Sequence, residues 1–154
     1  MSANKIVVFA VLLWVVTVAV FAWFFIRGNT TAGSDGRTAI VLQPDERHLV
    51  LREMRGLLAA TQGILDGANQ SDMNHVRQSS RAAGMAAAAD VNPALMAKLP
   101  LEFKSLGMRV HRDMDAIAKA AEDGSTPQEA LKMLSNTLAK CVACHSAWQL
   151  KTGN

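Results

Sequence analysis

The only two cysteines of this chain stand three residues apart near its C-terminus, in the run Cys141-Val142-Ala143-Cys144-His145. Residues three and four apart share one face of a helix, so both sulfurs and the imidazole can meet a single ligand. The pentapeptide is the attachment signature of a c-type haem, in which the two thiols form thioethers with the porphyrin edge. His145, one turn from Cys141, would present a ring nitrogen to the iron as the proximal ligand. Three other readings compete. A thioredoxin-like dithiol also uses Cys-x-x-Cys, but beside a βαβ pattern, and no strand periodicity surrounds this one. A zinc site needs two more ligands, whereas His48, His75 and His111 are distant in sequence and lack a paired spacing. The blandest reading is a chance match in a buried helix.

At the other end, Ile6–Ile26 reads IVVFAVLLWVVTVAVFAWFFI, without a charge. At about 1.5 Å per residue in a helix this run spans roughly 30 Å, the thickness of a bilayer's hydrocarbon core. Trp23, Phe24 and Phe25 gather at its distal end, where aromatic side chains favour the membrane interface. A cleaved secretory signal is the alternative, but its apolar region normally covers about 7–15 residues and ends in a small-x-small site. The sequence therefore predicts a retained transmembrane anchor over residues 1–27. Lys5 and Arg27 flank it almost symmetrically, so charge does not orient it. Resemblance to c-type cytochromes, whose haem is attached outside the cytoplasm, places the C-terminal portion in the periplasm, tethered to the bacterial inner membrane.

The formal charge of +3 does not point to nucleic acid. From Gln43 onward acidic and basic side chains nearly balance along the helices, and the excess comes from Lys5, Arg27 and Arg37. No basic stripe interleaved with aromatics exists. Two haem propionates would make the folded domain slightly acidic.

Residues 28–42 read as a linker. Arg27 to Thr38 is rich in Gly, Ser, Thr, Asn and Asp, which predicts a flexible tether. Ala39-Ile40-Val41-Leu42 is a short apolar arm whose conformation periodicity does not settle. Four helical segments fill residues 43–154. The first opens at Pro44, with Asp45 and Glu46 in its first turn, and runs to about Gly67. Its apolar stripe is Leu51, Met54, Leu58, Thr61 and Leu65, flanked by Val50, Leu57 and Ile64. The second spans about Ser71 to Ala89 and is rich in small residues, which lets a neighbour approach closely. Asn92-Pro93 caps a short turn through Lys98. Pro100 starts the third helix, with Phe103, Leu106, Val110, Met114, Ile117 and Ala121 on one side. Thr126-Pro127-Gln128-Glu129 is a capping box that opens the fourth. Its stripe of Leu131, Leu134, Leu138, Cys141, His145 and Trp148 points His145 into the interior, where a helix bundle keeps its cofactor. The domain is thus expected to be all-α, an antiparallel four-helix bundle behind a transmembrane helix.

This arrangement resembles the class II c-type cytochromes, the cytochrome c-prime family, over about Pro44 to Leu150. Four helices, a haem motif on the last of them and an inward Met on the first carry the resemblance. In that family the last helix supplies the proximal histidine and the first faces the opposite side of the iron. The resemblance implies one covalent haem c on Cys141 and Cys144, with His145 and Met54 as axial ligands, and a homodimer in some members. Trp148 keeps the family's aromatic in type, but the chain departs from the family where Gln149 stands in place of the basic residue that follows it, and in being anchored.

Met54 as sixth ligand would fill the coordination sphere and suit electron transfer. Against it stands its ordinary use as a gap-filler in a core. A shift of register by two would instead turn Gly56 to the iron and leave it open. His48 shares a face with Arg52 and Arg55, and His75 lies among polar neighbours; both read as solvated. His111 borders the third stripe as a hydrogen-bonded structural histidine, and Met85, Met108 and Met114 read as packing. Three functions follow: a membrane-tethered electron carrier exchanging electrons with redox partner proteins; a five-coordinate protein binding nitric oxide or carbon monoxide; or, if the thiols are free, a helical interaction module. Enzyme chemistry finds no support, since Asp113 and Asp115 are neighbours on a helix turn rather than a converging pair.

Overall fold

The structure is a computed structural model that describes residues 3–88 and 92–153. It is mostly helical, with six α-helices and one small sheet. Helix α1 (Ala3–Arg27) is apolar on every side and packs against the rest only at its C-terminal end, so Trp14 and Phe21 stand exposed. A helix that is apolar all round and not covered by protein lacks the polar face of a surface helix of a globular protein. It is long and apolar enough to be a membrane span or a signal sequence.

Residues 28–42, expected to be a flexible linker, form a β-hairpin instead. Strands β1 (Thr30–Ala32) and β2 (Thr38–Leu42) pair antiparallel, with Thr30 opposite Ile40. β2 also pairs in parallel with β3 (Trp148–Thr152), Ile40 lying opposite Leu150. The Gly/Ser/Asp run is the hairpin's turn, closed by a bond from Gly33 N to Arg37 O of 2.8 Å. Ile40 and Leu42 are fully buried, so the sheet is stapled to the helices by its own apolar residues.

The end of α1 is bonded to this sheet and to the segment before Pro100. Gly28 turns the chain in the left-handed region at φ +66°, and Asn29 N donates to Lys98 O at 2.7 Å. Asn29 also exchanges bonds with Val41: its side-chain amide donates to the Val41 carbonyl at 2.9 Å and its own carbonyl accepts from Val41 N at 2.9 Å. These bonds join the end of α1 to α4 and to the sheet.

Helix α2 (Pro44–Asn69) begins where Gln43 N donates to the Glu46 carboxylate at 2.9 Å. α3 (Met73–Ala82) is capped by Asp72, which accepts from His75 N. It is shorter than the expected second helix: the Asp115 carboxylate takes Met85 N at 2.9 Å, and residues 85–88 tighten into a 3₁₀ turn. Ala89, the expected end of that helix, lies outside the described residues. A short α4 (Pro93–Lys98) follows the Asn92 cap; α5 covers Leu101–Glu122 and α6 covers Pro127–Ala147. α2 packs on α3 and α6, and α5 packs on α3 and α6.

The inward face of α2 differs from the expected stripe. Leu58 and Leu65 are exposed, whereas Val50, Ala60, Ile64 and Ala68 are buried. The cause is close helix contact: a Cβ at Gly67 would lie 2.9 Å from Val76 N, so small residues line the α2–α3 seam and the large leucines turn outward. Apolar packing divides into two clusters. One, around Ile64, Val76, Met114, Ile117 and Leu134, fills the end remote from the sheet. The other joins Ile40, Leu42, Val50, Leu95 and Leu99 at the sheet, with Phe103 and Trp148 packed edge-to-face at 5.9 Å beside it.

Candidate functional site

An apolar cleft opens among α2, α5 and α6. Its walls come from Val50, Met54 and Leu57 of α2, Phe103, Leu106 and Val110 of α5, and Cys141, Cys144 and His145 of α6. Counted with the open solvent at its mouth, it encloses about 860 Å³ of space. The four residues singled out in the sequence thus border one space.

The local sequence explains their placement. Thr126 and Glu129 cap α6 reciprocally, with Thr126 N to the Glu129 carboxylate at 2.8 Å. Three turns later Asp113 of α5 accepts from the Thr137 hydroxyl at 3.2 Å and pairs with Lys140. This ties α6 to α5 immediately before Cys141 and sets which face meets the cleft. Asp113 and Asp115 thus bond to different partners and do not converge.

Cys141 and Cys144 are half-buried, unbridged thiols, and Cys141 Sγ lies 3.7 Å from Thr137 O. Burial pushes both thiols above their ordinary value, and Cys141 adds to the effect at Cys144. His145 is not interior, as its stripe position suggested, but exposed at the rim. The reason is that α6 ends at Ala147 and the chain turns extended at Trp148 to pair with β2, so Trp148 belongs to the sheet. Arg37, from the hairpin, donates to the carbonyls of His145 at 3.2 Å and Trp148 at 3.4 Å and so closes this helix end.

Met54 is half-buried and lines both the cleft and the adjoining groove bordered by Cys144, His145 and Trp148. Met96 and Met108 also line the cleft but not the groove. Gly56 is exposed and borders a different depression. His48 is exposed, His75 is 3.9 Å from Asp66, and Met114 is core.

His111 is buried between two acceptors: Nδ1 meets Ala83 O at 2.9 Å and Nε2 meets Glu53 Oε1 at 2.8 Å. Only the imidazolium can donate to both, and the Glu53 carboxylate raises its pKa. The pair's stabilisation is fully present below the unfolded-chain value of about 6.5 and is lost as pH rises through the raised folded value. His111→Gln should therefore cost about 2–3 kcal/mol near pH 6, and the gap should narrow at alkaline pH. Urea unfolding of both proteins across a pH series checks this. Glu53 and Lys104, both charged residues of this wall, were not legible as site residues, because both depend on which helix face turns inward.

Among the described residues no group of three or more His, Cys, Asp or Glu side chains is placed to hold a metal ion directly. A porphyrin brings its own in-plane nitrogens, so such a cluster is not what haem requires. Comparisons with protein-family models, characterised proteins and solved structures return no match.

Proposed function

We propose that this chain is a membrane-anchored c-type cytochrome that carries electrons, with haem bound covalently through Cys141 and Cys144 and ligated axially by His145 and Met54. The observation that carries the reading is that these four side chains border one open apolar cleft between α2 and α6. The donor set suits the group: two unbridged thiols, an imidazole, a thioether and apolar walls for a macrocycle. Bound haem iron would supply one-electron exchange between ferric and ferrous states. α2, α3, α5 and α6 are then the four-helix bundle of a class II cytochrome, to which the β1–β2–β3 sheet is an addition.

The protein's own residues have distinct parts in this reading. Leu57, Phe103 and Val110 exclude water from the cofactor's faces. Thr137, Asp113 and Lys140 hold the α6 face that carries both thiols. Met54 is preferred over Met96 and Met108 because it alone among them also borders the groove at His145. The raised thiol pKa values count against a dithiol redox site, which depends on a stabilised thiolate. They also favour attachment before the domain closes. α1 retained as an anchor, with the domain on the periplasmic side, would hold the carrier beside membrane redox partners and substitute local concentration for affinity.

The test is the ferric and ferrous absorption spectrum of the full-length chain, matured by a haem-attachment system and purified in detergent. A low-spin spectrum that turns high-spin in Met54→Ala is expected. A high-spin spectrum in the unaltered protein, with ready carbon monoxide uptake, would replace electron transfer by gas binding.

A further inference from the structure

Lys104 is a buried cation with no carboxylate partner among the described residues. It is 9 % exposed and borders the cleft. Its ammonium donates to Phe25 O at 3.3 Å and stands 3.9 Å over the Phe25 ring, at the C-terminal end of α1. The other charges of the cleft wall are matched: Glu53 with His111, and Lys140 with Asp113. A helix-end carbonyl and an aromatic face compensate a buried ammonium only in part, and desolvation pulls its pKa down. The wall thus carries one cation in excess, beside a space whose proposed occupant bears two carboxylates.

Resting on the haem reading above, we infer that Lys104 takes a propionate of the bound haem, beside the C-terminal end of α1. The four-carbon stem of lysine lets the ammonium turn from the Phe25 carbonyl toward an incoming carboxylate without moving the backbone. The ion pair then removes the charge excess of the wall. It also couples haem occupancy to the docking of α1, because the one ammonium leaves the Phe25 carbonyl to take the propionate. Arg37 and Arg47 line the adjoining groove instead, and Arg37 is already held by Asp35 at 2.6 Å.

The experiment is a spectroelectrochemical titration of the full-length holoprotein in neutral detergent, across pH, for the unaltered chain, Lys104→Gln, Lys104→Arg and Arg47→Gln. Loss of a cation beside the haem favours the ferric state, so Lys104→Gln should raise the ferric-to-ferrous ratio at fixed potential by about tenfold. It should also bring a propionic-acid ionisation into the pH profile of the potential. Lys104→Arg should restore both, which a purely structural lysine would not. An unchanged potential and profile in Lys104→Gln, with haem still attached, overturns the inference while leaving the haem reading intact. The inference fails equally if the effect belongs to Arg47→Gln, or if Lys104→Gln acts only when vesicles of anionic phospholipid replace detergent. Absence of attached haem would instead overturn the haem reading itself, and this inference with it.

Discussion

Cys141→Ala/Cys144→Ala, matured beside the unaltered chain, is expected to release all its haem into acidified organic solvent, whereas the unaltered chain releases none. Either single variant should keep its haem through the remaining thioether. The effect is all-or-none because the two sulfurs are the chain's only cysteines and no other side chain of the cleft forms a stable bond to a vinyl group. Helix α6 should tolerate the exchange: alanine is the strongest helix former, and both thiols are only half-buried. Circular dichroism of the double variant should therefore stay close to that of the unaltered protein before maturation. A double variant that still retains haem against extraction would place the attachment elsewhere.

Gly28→Val should undock the anchor. At φ +66° a β-branched residue costs about 1–2 kcal/mol in backbone strain. A Cβ there would also lie 2.5 Å from Lys98 O and 2.6 Å from Pro100 N, both backbone atoms that cannot rotate away. A combined cost of about 3 kcal/mol breaks the Asn29–Lys98 and Lys104–Phe25 contacts before it unfolds the helical domain. Trypsin cleavage after Arg27 in detergent should then quicken by about a hundredfold when cutting follows the open population. Equal cleavage of variant and unaltered chain would mean that the domain does not rest on α1.

The helices that carry the site were legible where short-range chemistry decides. Thr126, Pro127 and Glu129 mark the start of α6, and the alternating spacing from Leu131 to Cys141 brings both thiols to the cleft wall. Pro44 likewise opens α2, and Met54 reaches the cleft. What was not legible depends on long-range pairing. The apolar arm Ala39–Leu42 finds its parallel partner at Gln149–Thr152, near the far end of the chain, and no local period announces that. Trp148 continued the helical spacing, yet the chain leaves the helix there because strand pairing and Arg37 offer its carbonyls better partners. On α2 the eye follows large residues, whereas the seam with α3 is set by Ala60, Gly63 and Gly67, whose smallness allows close approach. His111, expected as a hydrogen-bonded structural histidine, bonds Ala83 and Glu53, whereas Lys104 carried no local signal, because its place depends on the packing of α5 against α1.

Covalent haem on α6 is decided by the intact mass of the full-length chain after maturation with a haem-attachment system. The mass should rise by one haem per chain, with no thiol left to alkylate. An unmodified mass with both Cys141 and Cys144 alkylated would contradict covalent attachment and leave a helical module of another function.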